Sequence, residues 1–230
     1  MPDQMIPAPA VRAKPHRHVV PAGTELWRVH STRRGSTEFK SLPADLHWGG
    51  GRFCDIRDGL SAVPRPYLYA GLSPLTAVRE TLARDLVMRP DGRRRITRPR
   101  VRDMLLSKVV AAGDLPLVDL TDDSHLAAVH QDIWLVQSPA PEYPRVRRWG
   151  SWIRSQADWA VGFRWPSRQD SGLVSGEVVA LYDRPDGPAL LKPSSDAPLA
   201  LDTPEGRDYL NGVLAPLRIR VEQPRTRRVT

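Results

Sequence analysis

Disulfides, membrane-spanning segments and export signals are missing from this sequence. Cys54 is its one cysteine, so no internal disulfide can form, which fits a reducing compartment. No run of about 18 apolar residues occurs, and no basic flank precedes an apolar segment near the N-terminus. We therefore expect a protein that is neither secreted nor membrane-bound and that resides in the cytoplasm.

Several common motifs of catalytic and binding sites are also missing. Glycines 49–51 are not followed by Lys-Ser or Lys-Thr and do not fit G-x-G-x-x-G, so neither a P-loop nor a Rossmann phosphate site is indicated. The histidines lack the spacing of zinc ligands, so no metal site is expected. Cys54 could pair with His30 or His47 as nucleophile and base, but without a supporting motif we interpret it as a small, partly buried thiol.

The composition is that of an ordinary globular domain with an excess of positive charge. The chain has 230 residues, of which 40% are hydrophobic and 26% charged, enough to bury one core. Its 23 prolines argue against a helical bundle. A net charge of +8 favours anionic partners, either a nucleic acid or a phosphate-bearing small molecule. We interpret the arginine-rich residues 89–102 and 218–228 as solvated segments, and the scarcity of stacking aromatics in the first argues against nucleic-acid binding.

The pattern of apolar residues predicts one mixed α/β domain, of the α+β kind, over residues 23–222. A loosely ordered arm is expected over residues 1–22 and a basic tail over 223–230. Interspersed elements alternate along the domain. Strands are predicted at 25–30, 67–72, 105–111, 115–120, 159–165, 177–182 and 217–221. Helices are predicted at 73–86, 124–131, 146–158 and 203–214.

The clearest helix start is Ser73 followed by Pro74. The hydroxyl can cap free backbone N–H groups, and proline is tolerated at the first helical position. An apolar stripe follows at spacings of three and four, formed by Leu75, Val78, Leu82 and Leu86. Glu80 points away from this stripe, and from spacing alone an i, i+4 ion pair with Arg84 is the favoured interpretation.

Four segments, in this order, resemble the RES family, which is named for an arginine, a glutamate and a serine. They are LWRVH around Arg28, GGGRFCD around Arg52, YLYAGLSPLTAVRETL with Tyr69 and Glu80, and GFRWPSRQD with Ser167 and Arg168. The resemblance extends from about residue 26 to residue 182. The triple glycine, Cys54, the arginine-rich insertion before Arg102 and the basic tail depart from the family pattern.

This resemblance implies a fold like that of the ADP-ribosyltransferases, with a central β-sheet flanked by helices. It implies NAD⁺ as the substrate, with no metal or further cofactor and with phosphate as a candidate co-substrate. Known relatives are toxins of toxin–antitoxin pairs that degrade NAD⁺ by hydrolysis or phosphorolysis, and their usual partner is an Xre-type antitoxin. The expected activity is therefore that of an NAD⁺ glycohydrolase or phosphorylase acting as a toxin.

The family pattern also assigns roles that suit the residue types. Guanidinium groups bind phosphate oxygens bidentately, so Arg28 and Arg52 are expected to hold the diphosphate, with Arg168 as a third candidate. Glu80 is expected to stabilise the positive charge that develops on the ribose when the nicotinamide bond breaks.

Two further residues complete the expected substrate site. Tyr69 is expected to stack on the nicotinamide ring or to hold it through the hydroxyl, and Ser167 to position ribose or phosphate.

Three other functions stay open at this stage. The enzyme could transfer ADP-ribose to a macromolecule, although no target-recognition feature is found. The +8 charge leaves nucleic-acid binding as an alternative. A RES-like scaffold that only binds a partner is the third.

Overall fold

The structure is a computed structural model that describes residues 11–41, 50–57, 63–84, 86–168, 176–184 and 186–222. The predicted tail, His47 and Gly49 lie outside the described residues, as does most of the predicted loop after Arg168. The strands are β1 Arg17–Val20, β2 Glu25–Ser31, β3 Tyr67–Gly71, β4 Arg94–Ile96, β5 Met104–Ala111, β6 Leu115–Asp119, β7 Gly162–Pro166, β8 Glu177–Tyr182, β9 Leu191–Pro193, β10 Leu199–Ala200 and β11 Ile219–Val221.

Helices connect and cover these strands. The α-helices are α1 Pro74–Val78, α2 Arg98–Val101, α3 Asp123–Ala127, α4 Trp134–Gln137, α5 Tyr143–Ser155 and α6 Pro204–Leu214. A π-helical turn, Arg79–Ala83, continues α1, and 3₁₀ turns lie at Ala140–Glu142 and Ala215–Leu217. Within the described ranges, no helix is long and apolar enough to span a bilayer.

A large mixed sheet organises the domain. Its strands follow the order β1-β6-β7-β8-β3-β2-β5-β10, with β9 also paired to β5. The β6–β7 pair is parallel and every other neighbouring pair in this sheet is antiparallel. The mixed α+β class expected from the alternation of elements is confirmed.

The sheet opens between β2 and β3. Strand β2 pairs with β5 along its whole length, from Glu25 to Ser31, but pairs with β3 only where Trp27 faces Gly71. Beyond that position the two strands diverge. Arg28 on β2 and Tyr69 on β3 are therefore not paired with each other, and both line the cavity between the two strands.

Alternation along the strands separates two hydrophobic layers. On β3, Tyr67 and Tyr69 face the layer covered by α5, whereas Leu68 and Ala70 face the opposite side. Strand β8 repeats the pattern, because side chains with a period of two point to opposite faces of a sheet. The helices that cover the first face therefore also fix the aromatic residues next to the β2–β3 opening.

Two segments predicted to lack structure form strands. The prediction of a loosely ordered arm over residues 1–22 is wrong near the C-terminal end of this segment, because Arg17–Val20 form β1 and pair with β6. The arginine-rich segment contains β4, which pairs in parallel with β11 in a separate two-stranded sheet. Ile96 is fully buried there, so a single apolar residue among arginines is enough to anchor the strand.

Several predicted elements are confirmed with changed bounds. Strands β2, β3, β5, β6 and β8 and helix α6 lie within about one residue of the predicted positions. The predicted strand at 159–165 begins only at Gly162, and the predicted helix at 124–131 is the short α3. The helix predicted at 73–86 begins as expected, with the Ser73 side chain accepting from the Thr76 amide, but it ends at Ala83.

Candidate active site

A cavity of about 360 Å³ lies where β2 and β3 diverge. Strand β2 contributes Arg28 and His30 to its wall, and strand β3 contributes Tyr67 and Tyr69. Arg52 from the loop at 50–57 and Glu80 from the π-helical turn line it as well. The structure thus brings four of the six predicted site residues to one cavity, and Ser167 contacts it through Glu80.

Glu80 lies in the π-helical turn that follows α1. Such turns are rare and are frequently found at functional sites. The carboxylate accepts a hydrogen bond from the Ser167 hydroxyl, with 2.6 Å between Oγ and Oε1. Ser167 is 3% exposed and comes directly after β7, so a buried hydroxyl holds the acid in place. The i, i+4 pair with Arg84 favoured by spacing alone is not formed, and the Arg84 guanidinium instead donates to the Gly50 carbonyl.

Arg28 is buried in the middle of β2, with only 5% of its surface exposed. Its Nη1 donates to the carbonyl oxygen of Ser36 at 2.7 Å and, more weakly, to that of Gly35 at 3.4 Å. Burial lowers the pKa of Arg28 to about 10, and the nearby Glu38 carboxylate opposes this shift. Arg28 therefore remains charged at neutral pH in a place where its charge is poorly solvated.

Arg52 is held in a similar way by a backbone carbonyl. It is 3% exposed, its Nη2 donates to the Ser138 carbonyl at 3.2 Å, and its buried Nε–H finds no partner among the described residues. Burial lowers the pKa of Arg52, while Tyr143 and Glu80 act in the opposite direction. Arg168 donates to the same Ser138 carbonyl at 3.2 Å, but it is exposed and is not among the residues that line the cavity.

The loop that carries Arg52 is fixed by buried side chains. The Tyr69 hydroxyl accepts from the Phe53 amide at 2.8 Å, and the Tyr182 hydroxyl donates to the Phe53 carbonyl at 2.9 Å. Arg147 donates to the Gly51 carbonyl at 3.2 Å. A Cβ on Gly51 would lie 2.5 Å from the Tyr69 hydroxyl oxygen, so the absence of a side chain allows this close approach.

Tyr69 also belongs to an aromatic wall. Its ring meets the edges of Tyr67 and Trp165, with centroid separations of 5.5 and 5.7 Å. Burial raises the pKa of Tyr69 well above its usual value, so the hydroxyl keeps its proton. The cavity therefore combines an aromatic wall with a hydroxyl that can still donate a hydrogen bond.

Cys54 and His30 do not form the nucleophile–base pair considered from the sequence. The thiol is completely buried and donates to the Gly51 carbonyl at 3.1 Å. His30 instead contacts the Ser107 hydroxyl at 2.8 Å. Cys54 is thus more deeply buried than the sequence suggests, and its role is to hold the glycine turn.

Three cationic residues of the cavity were not predicted, namely Arg34, Lys40 and Arg84. With Arg28 and Arg52 they make five cations around Glu80, which is the single carboxylate among the described lining residues. Such an imbalance suits a ligand with more than one negative charge. The Glu80–Arg84 spacing was the only sequence signal for any of the three, and it indicates an ion pair rather than a binding site.

The fold and this cavity define a mixed α+β protein with a buried, strongly cationic cleft built around one acid. The model of the RES domain family matches residues 25–202, so the chain belongs to this family. The resemblance found in the four sequence segments is confirmed. A search among curated proteins finds no match.

The fold is also found among solved structures. A chain in the crystal structure of the M. tuberculosis MbcT–MbcA toxin–antitoxin complex is similar over 79% of this chain and 87% of that chain, with a TM-score of 0.50 and 16% sequence identity. At this identity the likeness establishes the shared fold.

Proposed function

We propose that this protein cleaves the bond between nicotinamide and ribose in NAD⁺. The observation that carries the proposal is the Glu80 carboxylate, held by Ser167 on the wall of a cleft that also contains Arg28, Arg52 and Tyr69. Membership of the RES family supports the same reaction. The chemistry of each group suits one part of the substrate.

The carboxylate suits the reacting sugar. When the C1′–N bond breaks, nicotinamide leaves as a neutral molecule with the bonding electron pair, and positive charge develops on the ribose ring. A carboxylate fixed beforehand stabilises this charge without having to reorganise. Ser167 occupies Oε1 of Glu80, and Oε2 makes no hydrogen bond within the described part of the chain, which leaves it for the sugar.

The cationic and aromatic walls suit the rest of the dinucleotide. Arg28 and Arg52 are buried cations that line the cavity, and a diphosphate requires cations of this kind. Tyr69 offers a ring face and a protonated hydroxyl for the nicotinamide. We retain Arg168 only as an outer contact, because it shares a carbonyl with Arg52 but does not line the cavity.

The acceptor of the ADP-ribosyl group is water or phosphate. Water adds its oxygen to C1′ and releases a proton, giving ADP-ribose, whereas inorganic phosphate gives ADP-ribose 1″-phosphate. No metal or other cofactor is needed for either route, since the positive charge on the nicotinamide ring already makes it a good leaving group.

We further propose that the protein is a cytoplasmic toxin that an antitoxin, of the Xre type, inhibits by covering the cleft. The structurally similar chain comes from a toxin–antitoxin complex, which supports a protein partner of this kind. Depletion of intracellular NAD⁺ would account for toxicity.

The direct test measures nicotinamide release from NAD⁺ by the purified protein, with and without inorganic phosphate. We expect Glu80→Gln to lower kcat by about 100- to 1000-fold, the usual effect of losing a transition-state contact. Glu142→Gln, which alters an acid that pairs with Arg145 at 3.2 Å and does not line the cavity, is the matched control and should keep full activity.

Three results would change this assignment. No release by the wild-type protein, or equal release by Glu80→Gln, would overturn the cleavage reaction. Radioactive label transferred from NAD⁺ to a macromolecule would replace hydrolysis by ADP-ribose transfer. Tight binding of NAD⁺ in calorimetry without any turnover would indicate a scaffold.

A further inference from the structure

Lys40 is fixed at the rim of the cleft although it belongs to no strand of the large sheet. Its backbone exchanges two hydrogen bonds with Tyr67, the Lys40 amide donating at 3.0 Å and the Tyr67 amide at 2.9 Å. Its Nζ lies 5.0 Å from the centre of the Tyr67 ring, which is itself 1% exposed. The ammonium group is therefore directed to the cavity by contacts that are part of the fold.

Among the residues that the structure describes, no acid forms an ion pair with Lys40. Burial lowers its pKa, Cys54 opposes this shift, and the positive charges of Arg28, Arg34 and Arg84 lower the pKa further. It makes no ion pair with any described residue. Lys108 shows the alternative, because its ammonium binds Glu25 at 2.9 Å and Asp196 at 2.7 Å and its pKa is raised.

A half-buried ammonium among three guanidinium groups is unfavourable unless an anion joins them. The arginines nearest to it also differ in availability. Arg34 is partly engaged by Glu38 at 3.3 Å, and Arg84 lies over the Tyr143 ring while it donates to Gly50. Lys40 is the cation of this group with no acceptor among the described residues, so it has the most to gain from a ligand.

We propose that Lys40, with Arg34 and Arg84 beside it, forms a subsite that binds a phosphoryl group during the reaction. This inference rests on the proposed function and adds to the predicted diphosphate contacts of Arg28 and Arg52. A phosphoryl group fits better than a carboxylate because it brings more negative charge and three oxygens to a cluster of separate donors. The group belongs either to the dinucleotide or to an inorganic phosphate acceptor.

Binding gives a test that does not depend on turnover. Calorimetry should show that Lys40→Met weakens the binding of inorganic pyrophosphate and of ADP-ribose about tenfold, the usual effect of losing one charge-assisted hydrogen bond. Lys40→Arg should restore part of the affinity. Lys192→Met, which alters an exposed lysine of β9, is the matched control and should bind as the wild type does.

Kinetics with truncated substrates identify the source of the phosphoryl group. If it belongs to the dinucleotide, Lys40→Met raises KM for NAD⁺ about tenfold with kcat little changed. Nicotinamide riboside, which has the same scissile bond and no phosphate, should then be cleaved equally by both proteins. If it belongs to the acceptor, KM for inorganic phosphate rises and KM for NAD⁺ does not.

The inference and the proposed function can fail separately. Unchanged pyrophosphate and ADP-ribose binding in both Lys40→Met and Lys40→Gln, at unchanged melting temperature, would overturn the subsite. So would an equal loss of activity on NAD⁺ and on nicotinamide riboside without phosphate. A wild-type protein that binds pyrophosphate through Lys40 but releases no nicotinamide would overturn the reaction and leave the subsite standing.

Discussion

The arginines of the cleft and those of the small β4–β11 sheet differ in how their charge is satisfied. Arg28 and Arg52 are 5% and 3% exposed and donate to backbone carbonyls. On the small sheet and next to it, Arg95 pairs with Asp91 at 2.8 Å and Arg89 pairs with Glu222 at 3.1 Å, all of them in contact with solvent. Arginine thus lines a cleft in one region and forms solvent-exposed ion pairs in the other.

Burial explains the difference. A solvated guanidinium keeps most of its hydration and gains little from a neighbouring acid. A buried guanidinium loses its hydration, and one carbonyl replaces only part of it. The hydration that the carbonyl does not replace favours the binding of an anion. The burial of individual arginines is therefore more informative about function than the net charge of +8.

Within this comparison of the two regions, the largest effect should come from removing a buried cation. We expect Arg28→Met to lower kcat/KM for NAD⁺ cleavage by about 100-fold, since losing one partner of a desolvated charge pair costs about 2–5 kcal/mol. Arg95→Met on the small sheet should leave kcat/KM unchanged. Equal effects of the two substitutions would show that only overall charge attracts the substrate.

A smaller effect should come from crowding the loop that carries Arg52. Gly51→Ala places a methyl group against the Tyr69 hydroxyl and should lower the free energy of unfolding by about 1–3 kcal/mol, as overpacking does. Gly113→Ala, where nothing lies within 4 Å of the added Cβ, is the control. Urea denaturation of both variants provides the measurement, and equal midpoints would contradict the rigid placement of this loop.

Removing the hydroxyl that holds Glu80 should have a still smaller effect. Ser167→Ala removes the 2.6 Å hydrogen bond, and we expect kcat to fall about tenfold, equivalent to about 1.4 kcal/mol. Ser167→Thr keeps a hydroxyl and should recover part of the rate. An unchanged kcat in Ser167→Ala would mean that the π-helical turn alone positions the acid.

The smallest effect is expected at the exposed ion pair. Arg89→Ala should change the free energy of unfolding by less than about 1 kcal/mol, and 1 M salt should remove most of that difference. Thermal unfolding at low and high salt provides the measurement. A larger loss that persists in high salt would show that the two regions do not differ as described.

Local signals were sufficient where an element depends on its own residues. Ser73 and Pro74 start α1, and Thr203 and Pro204 start α6, because capping uses groups within one turn. Period-two alternation located β2, β3 and β8 for the same reason. The π-helical turn was missed, since nothing in the spacing of Leu82 and Leu86 distinguishes it from a regular helix.

Non-local pairing decided what the sequence could not show. Residues 17–20 became a strand because β6 offers an open edge, and residues 94–96 because β11 lies beside them. Lys40 and Arg34 entered the cavity wall only through the position of the chain after β2. Their residue types carry no sign of this.

The amino-acid sequence alone determined the family, the mixed fold class and most members of the candidate site, because the motif residues recur in a fixed order along the chain. Tertiary structure alone decided that Ser167 holds Glu80 across 87 residues and that five cations line one cavity with a single acid among its described residues. The physical reason is the divergence of β2 from β3, which makes two neighbouring strands the walls of a cleft. Arginines that composition alone would predict to be exposed are buried there.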